Sequence, residues 1–111
     1  MIKDINFDDF SKIDIRVGSI VDAYLNKLSK KPAIILIIDF GSLGIFKSSA
    51  QITKNYTPEN LLGFQVIAIV NFPKKQIANF MSECLILGVV KDKGVVLLRP
   101  DSQVNNGLKI Y

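Results

Sequence analysis

The segment Thr57-Pro58-Glu59-Asn60-Leu61-Leu62-Gly63 decides the fold that we predict for this chain. Thr57 is a favourable N-cap, Pro58 suits the first helical position, and Gly63 suits the residue after a helix. The segment therefore predicts one short helix. Strand-like stretches lie on both sides of it, three before and two after.

The strand predictions rest on apolar patterns. Residues 13–17 alternate apolar and polar side chains, which indicates a half-buried strand, and the apolar character resumes after Gly18 and reaches Tyr24. A central glycine in a long strand is typical of a small barrel whose strand bends around a corner. The other predicted strands are 33–40, 45–52, 66–70 and 84–90, and a hairpin turn at 91–94 leads into 95–99.

This order of elements predicts an all-β protein with an OB-fold, a five-stranded Greek-key barrel. One short helix lies between strands three and four, and a C-terminal extension follows the barrel. We expect residues 1–111 to form a single domain, because the chain is too short for two cores. Another small barrel or a sandwich would give similar strand signals, but the capped helix in this slot favours the OB-fold. In that fold the ligand lies on strands two and three, between the loops joining strands one to two and four to five.

Composition limits the possible functions. Hydrophobic residues make up 49% of the chain and the mean hydropathy is +0.30, so we expect some apolar surface to be buried against a partner chain. The net charge of +4 is compatible with nucleic-acid binding without proving it. With no histidine and one cysteine, the chain cannot build His/Cys zinc sites or Ser-His and Cys-His nucleophile pairs. Asp39 and Glu83 could do acid–base work, but no base–nucleophile pair is visible, so we predict no enzymatic activity, no metal and no cofactor.

The sequence predicts a cytoplasmic protein without membrane insertion. Cys84 lies in an apolar strand, which is typical of a small core residue in a reducing compartment. The N-terminal acidic residues Asp4, Asp8 and Asp9 fall where a signal peptide needs an apolar segment. The longest strongly apolar run, 33–38, is far too short to span a bilayer.

The stretch Asn71-Phe72-Pro73-Lys74-Lys75-Gln76-Ile77-Ala78-Asn79-Phe80-Met81-Ser82-Glu83 joins predicted strands four and five. Lysines beside large apolar side chains are typical of a surface that meets phosphates and bases, or an acidic, apolar peptide. The alternative is that Phe72, Ile77, Phe80 and Met81 close the end of the barrel, since apolar groups prefer the interior. That alternative explains the lysine pair poorly, although lysines are also common in loops of soluble proteins.

Three motifs in order, 14–18 (Asp-Ile-Arg-Val-Gly), 47–52 (Lys-Ser-Ser-Ala-Gln-Ile) and 71–83, resemble CsaA-type chaperone-like proteins. More broadly they are similar to the tRNA-binding OB domains of methionyl-tRNA synthetases and of free-standing tRNA-binding proteins. The resemblance covers essentially the whole chain and implies a homodimer that binds unfolded or precursor polypeptides and the secretion motor ATPase. The tRNA-binding relatives carry the form Asn-Leu-Lys-Pro-Arg-Lys-Met-Arg-Gly, and three of its cations are replaced here by Pro73, Gln76 and Ala78. We therefore expect weaker RNA binding than in the synthetase-linked relatives.

Two hypotheses use the same surface. The first is a dimeric CsaA-like chaperone that binds polypeptide through an apolar cleft with a lysine rim, and the second is a protein that recognises folded tRNA. Terminal apolar residues beyond the barrel are the predicted dimer interface. The candidate residues are Phe72, Phe80 and Met81 for peptide; Lys30, Lys31, Lys47, Ser49, Asn71, Lys74, Lys75, Ser82 and Glu83 for RNA; and Phe7, Phe10, Ile110 and Tyr111 for the dimer.

Overall fold

A computed structural model of the protein describes residues 2–111. Eleven helices and strands follow one another, and a short 3-10 turn, Gly41–Leu43, separates the second and third strands. They are α1 (Phe7–Ser11), β1 (Ile15–Leu25), β2 (Ile34–Asp39), β3 (Ile45–Ala50), α2 (Pro58–Leu61), β4 (Gln65–Ile69), β5 (Lys75–Ile77), β6 (Phe80–Ser82), β7 (Leu85–Ile86), β8 (Gly88–Lys91) and β9 (Gly94–Leu97).

Five antiparallel strands form one sheet in the order β3-β2-β1-β4-β7. Its two edges approach each other: the Glu83 amide donates to the carbonyl of Lys47 on β3 at 2.8 Å, and the Ser48 hydroxyl donates to the Cys84 carbonyl at 2.9 Å. These bonds nearly close the sheet into a barrel. The predicted all-β, OB-like barrel is confirmed.

The long first strand is one continuous element. Gly18 allows close packing there, because a Cβ on it would lie 2.7 Å from side-chain atoms of both Ile38 and Phe40. The register against β2 shifts between Ile20 and Asp22, which marks a bulge. The strand therefore combines the predicted glycine with a bulge, and it pairs with β4 through its first half and with β2 through its second.

Helix α2 begins and ends at the predicted residues. The Thr57 side chain accepts a hydrogen bond from the Asn60 amide, and the Asn60 side chain accepts one from the Thr57 amide, forming a capping box. Gly63 then adopts a positive φ of 86°. Leu61 is fully buried in the core, so the helix covers one end of the barrel. The other core residues are Ile20, Ile34, Leu36, Ile38, Phe40, Ile52, Val66, Ala68, Cys84 and Leu97.

Two parts of the predicted element order are wrong. The stretch 71–83 is not simply a loop, because β5 and β6 pair within it as an antiparallel hairpin. The predicted fifth strand at 84–90 is also divided: β7 completes the barrel, whereas β8 pairs with β9 in a separate hairpin. The turn between β8 and β9 consists of Asp92 and Lys93, and both have positive φ, as a tight two-residue hairpin requires.

The C-terminal tail lies along the first half of β1. The Ile110 amide donates to the Ile15 carbonyl at 2.8 Å, and the Gly107 amide donates to the Val17 carbonyl at 2.7 Å. Buried Gln65 on β4 fixes the start of the tail by donating to the Val104 carbonyl and accepting from the Val104 amide. Within residues 2–111, neither helix has the length and apolar character that a membrane span requires.

Candidate functional site

The β5–β6 hairpin is attached to the edge of β3 by two polar side chains. The Ser82 hydroxyl accepts from the Ser49 amide at 3.2 Å, and Glu83 Oε1 accepts from the Lys47 amide at 3.0 Å. The two side chains thus complete hydrogen bonds that a neighbouring strand would otherwise make. This attachment holds the hairpin beside the third strand, where an OB-fold binds its ligand.

A cleft of about 610 Å³ opens between this hairpin, the end of β3 and the strands that follow. Most of its wall is apolar, and the polar groups are few. It is lined by Ala50, Ile52, Phe72, Pro73, Ile77, Cys84, Leu85, Ile86, Val95 and Leu97, with Ser48, Ser49, Gln51, Lys75, Ser82 and Glu83 as its polar members.

A second depression, of about 510 Å³, continues from the cleft towards the loop between β1 and β2. Gln51 and Ile77 line both, so the two form one groove, which we call the ligand groove. The loop contributes Lys30 and Lys31, and the hairpin turn contributes Ala78. The ligand groove therefore has an apolar half and a half bordered by cations.

The structure brings together seven of the predicted site residues in the ligand groove. They come from both loops and from β3, as the OB-fold prediction requires, and they are Lys30, Lys31, Ser49, Phe72, Lys75, Ser82 and Glu83. Among the residues described, five that were predicted to bind peptide or RNA do not line the groove: Lys47, Asn71, Lys74, Phe80 and Met81.

The three apolar residues predicted to bind peptide do not converge. Phe72 lines the cleft, but the Phe80 side chain is only 9% exposed, and the Lys47 ammonium lies 5.4 Å from the centre of its ring. Met81 pairs with Gln76 in the hairpin, and it faces away from Phe80 because neighbouring side chains on a strand alternate. Phe80 and Met81 therefore do not line the cleft, and their role in peptide binding stays a prediction; Phe80 packs beneath the Lys47 cation.

Asn71 has a structural position that the sequence did not predict. Its Oδ1 accepts from the Asp14 amide at 2.9 Å, and its Nδ2 donates to the Lys12 carbonyl at 2.8 Å. The side chain thereby ties the segment after α1 to the end of β4. Both polar ends of its amide therefore contact the protein's own backbone, and a role of Asn71 in RNA binding stays a prediction.

Two central residues of the ligand groove, Gln51 and Ile77, were missing from the predicted set. Gln51 immediately follows β3, and Ile77 is the last residue of β5 before its turn. Ile77 faces the same side of β5 as Lys75, but this relation depends on a strand that the sequence did not predict. Gln51 lies within the motif 47–52, which carries part of the family resemblance, but that motif assigned no role to Gln51 itself.

The predicted dimer residues lie on two segments that attach to the beginning of β1. Phe7 and Phe10 share one side of α1, with ring centres 6.0 Å apart, and Ile110 belongs to the paired C-terminal tail. Arg16 fixes that tail by donating to the Gly107 carbonyl at 3.0 Å, and its hydrogen bond to Asp14 raises the pKa of Arg16. Phe7 and Tyr111 are largely exposed.

Cys84 lies at the floor of the cleft in a position that suppresses its reactivity. Burial raises the pKa of its thiol to about 12, the negative charge of Glu83 adds to the rise, and the hydrogen bond with Ser48 opposes it. The thiolate is the nucleophilic form of cysteine, and almost none is present at neutral pH. The position favours an inert wall residue over a redox or catalytic group.

Alkylation kinetics test this placement. At pH 8 we expect iodoacetamide to modify native Cys84 about a thousandfold more slowly than the same chain in urea, because a pKa of about 12 leaves roughly one thiol in 10,000 ionised. A variant with Cys84→Ala and Ser102→Cys provides an exposed thiol as the control. Equal rates for native and unfolded wild type would contradict the buried environment.

Comparisons with known proteins cover most of the chain. A family model described as "Putative tRNA binding domain" matches residues 15–109. The crystal structure of the chaperone CsaA from Bacillus anthracis shares 50% sequence identity with a TM-score of 0.92, covering 98% of this chain and 100% of that one. The CsaA chaperone protein of Picrophilus torridus also shares 50% identity, with a TM-score of 0.90, covering 97% of this chain and 100% of that one.

Synthetases contain a similar unit as a small part of a longer protein. Methionine–tRNA ligase of Methanococcoides burtonii is 36% identical over 108 residues, which make up 96% of this chain but only 16% of the ligase. The matched portion of such ligases is therefore about a sixth of their length. These findings confirm the resemblance to CsaA-type proteins and to synthetase-linked tRNA-binding domains.

Proposed function

This chain belongs to the family of tRNA-binding domains, and from that premise we propose that it is a CsaA-like chaperone without enzymatic activity. As a homodimer in the cytoplasm, it holds unfolded or export-bound polypeptide in the ligand groove. Its partners are a second copy of itself, precursor polypeptides and, as the resemblance implies, the secretion motor ATPase. The 50% identity to two CsaA chaperones over nearly the whole chain supports this assignment.

The apolar lining of the cleft is the single observation that carries the proposal. Its volume of about 610 Å³ exceeds the needs of one side chain, so it can receive two or three neighbouring apolar side chains of an extended segment. Burying them is worth about 25 cal/mol per Å² of apolar surface, and it does not require one particular sequence. A site of this kind suits varied unfolded clients.

A second candidate function is tRNA binding in the same ligand groove. The family match favours it, and so does the position of Lys30, Lys31 and Lys75 along the groove. These cations can contact phosphates, and Phe72, which is half exposed, can stack on a base. Lys74 contributes less, because its ammonium lies 3.4 Å from Glu83 Oε2.

Lys75→Ala and Phe72→Ala should affect different measurements, because loss of base stacking at Phe72 lowers tRNA affinity without changing its salt slope. We expect Lys75→Ala to lower the slope of log affinity against log salt for unfractionated tRNA by about 0.7–0.9, the value for one phosphate contact. The peptide ligand is fluorescein-labelled, has zero net charge and alternates leucine with serine and glutamine. Phe72→Ala should lower the affinity for this peptide about tenfold, because the substitution removes apolar contact. Fluorescence anisotropy at several salt concentrations measures both.

Two matched variants control these measurements. Leu62→Ala removes an apolar side chain that is 53% exposed, close to the 49% of Phe72, and Lys91→Ala removes a cation on β8. Both should leave peptide and tRNA binding nearly unchanged. If Leu62→Ala lowers peptide affinity as much as Phe72→Ala does, the assignment of the cleft as the peptide site is contradicted. If the salt slope for tRNA is unchanged in Lys75→Ala, tRNA does not bind in the cleft.

The dimer forms part of the proposal because apolar side chains are exposed near both chain ends. Ile2, Ile5 and Phe7 are exposed at the N-terminal end, and Leu108 and Tyr111 at the C-terminal end. The N-terminal segment leads directly into β1 and is tied to Asn71 at the end of β4, whereas the C-terminal segment pairs with the first half of β1. Because β4 pairs with that half of β1, we infer that the apolar residues of the two segments contribute to one surface. A self-complementary surface of this kind supports a two-fold dimer, which would offer two ligand grooves to one client.

Phe7→Glu should dissociate the dimer. We expect sedimentation equilibrium to give a dimer for the wild type at micromolar concentration and a monomer for Phe7→Glu, because the substitution places a charge in an apolar interface. Leu28→Glu is a matched control, since Leu28 and Phe7 are both 70% exposed and Leu28 lies in the β1–β2 loop. A monomeric wild type, or equal dissociation by Leu28→Glu, would contradict this interface.

A further inference from the structure

The outer edge of β3 is a place where polypeptide backbone is bound. The Phe40 amide donates to the Gly44 carbonyl, so the hydrogen bonds between β2 and β3 fall at the even-numbered residues of β3. The backbone groups of Lys47 and Ser49 therefore face outward, away from β2. Their hydrogen bonds to residues 82–83 agree with this direction.

The covered part of this edge ends at the Ser49 amide. Glu83 bonds to both backbone groups of Lys47, and the Ser82 hydroxyl accepts from the Ser49 amide. Beyond that point, residues 2–111 provide no hydrogen-bond partner for the Ser49 carbonyl or for either backbone group of Gln51. Two acceptors and one donor are therefore open where the strand ends.

The open backbone groups border the apolar cleft. Ser49 and Gln51 both line it. The side chains of Ala50 and Ile52 alternate with theirs and belong to its apolar wall, and Ile52 is buried in the core. An extended segment lying along this edge would place every second side chain on the same side as Ala50 and Ile52, within reach of the cleft.

We propose that a client polypeptide binds as an added strand on the outer edge of β3, bonded through its backbone to Ser49 and Gln51, with alternate side chains in the cleft. Residues 82–83 occupy the first part of the same edge, which supports an extended polypeptide as the occupant of the second part. Strand addition gives affinity through main-chain hydrogen bonds, which nearly every sequence offers, and apolar burial adds to it. The inference rests on the proposed function, because it specifies how the client lies in the same groove.

The substitution Gln51→Pro removes the donor at this edge. Proline lacks the N–H, and the Gln51 amide bonds to no other described residue, so the fold loses no hydrogen bond. Gln51→Ala removes the side chain but keeps the N–H, and it is the matched control. Ile45→Pro controls for proline itself, because Ile45 lies on the same strand outside the ligand groove and its amide also faces outward. Circular dichroism establishes that each variant is folded.

Fluorescence anisotropy with the uncharged leucine-containing peptide measures the effect of each substitution. We expect Gln51→Pro to lower peptide affinity about five- to tenfold, because a client carbonyl is left without its donor. Gln51→Ala and Ile45→Pro should change the affinity less than about twofold.

Two N-methylated versions of the peptide test the wild-type protein without any substitution. One is methylated at its leucines, and the other at its serines and glutamines. A strand bonds to one neighbour through alternate N–H groups, so one version should lose about tenfold in affinity and the other much less. The version that loses affinity reports whether the added strand runs parallel or antiparallel to β3.

The outcomes separate the inference from the function on which it rests. Equal affinities of the two methylated peptides would overturn the inference, because no strand bonded through alternate N–H groups then forms. A folded Gln51→Pro variant with unchanged peptide affinity, or with a loss equal to that of Gln51→Ala, also overturns it. The proposed function fails separately if the unmethylated peptide does not bind to the wild type in the ligand groove.

Discussion

The junction between β3 and residues 82–84 is the constraint on which the rest of the structure depends. Ser48 donates to the Cys84 carbonyl, Ser49 donates its amide to Ser82, and Lys47 exchanges bonds with Glu83. Short polar side chains substitute here for a regular strand ladder, so the barrel nearly closes without a long fifth strand. Ser48 and Ser82 are buried, so leaving either hydroxyl unpaired would cost about 1–3 kcal/mol.

The same junction produces the ligand groove. It fixes the base of the β5–β6 hairpin, whose tip projects towards the β1–β2 loop, and the space between them becomes the site. The hairpin tip itself is strained, since Ala78 has a φ of 53°, which non-glycine residues rarely adopt. The hydrogen-bonded base and the hairpin tip thus place the apolar half of the groove beside β3 and the other half beside the lysine-bearing loop.

Local signals in the sequence were sufficient to predict the barrel. The caps of Thr57 and Pro58 located the helix, and alternation located the first strand, because both depend on nearest neighbours along the chain. The β5–β6 hairpin could not be predicted in this way: its strands are three residues long and its turn lacks glycine. The positions of Phe80 and Asn71 depend on strand register and on contacts with distant residues, so residue type alone could not predict what their side chains contact.

The central claim is that the ligand groove is the binding site, and amide chemical-shift mapping tests it most directly. A ¹⁵N-labelled sample would be titrated with the uncharged leucine-containing peptide, with residue-specific assignments in hand. The account predicts that the largest shifts occur at Ser49, Gln51, Lys75 and Ile77 and extend to Lys30 and Lys31, which line the groove. Shifts confined to β8 or to α1, with these groove amides unchanged, would contradict it.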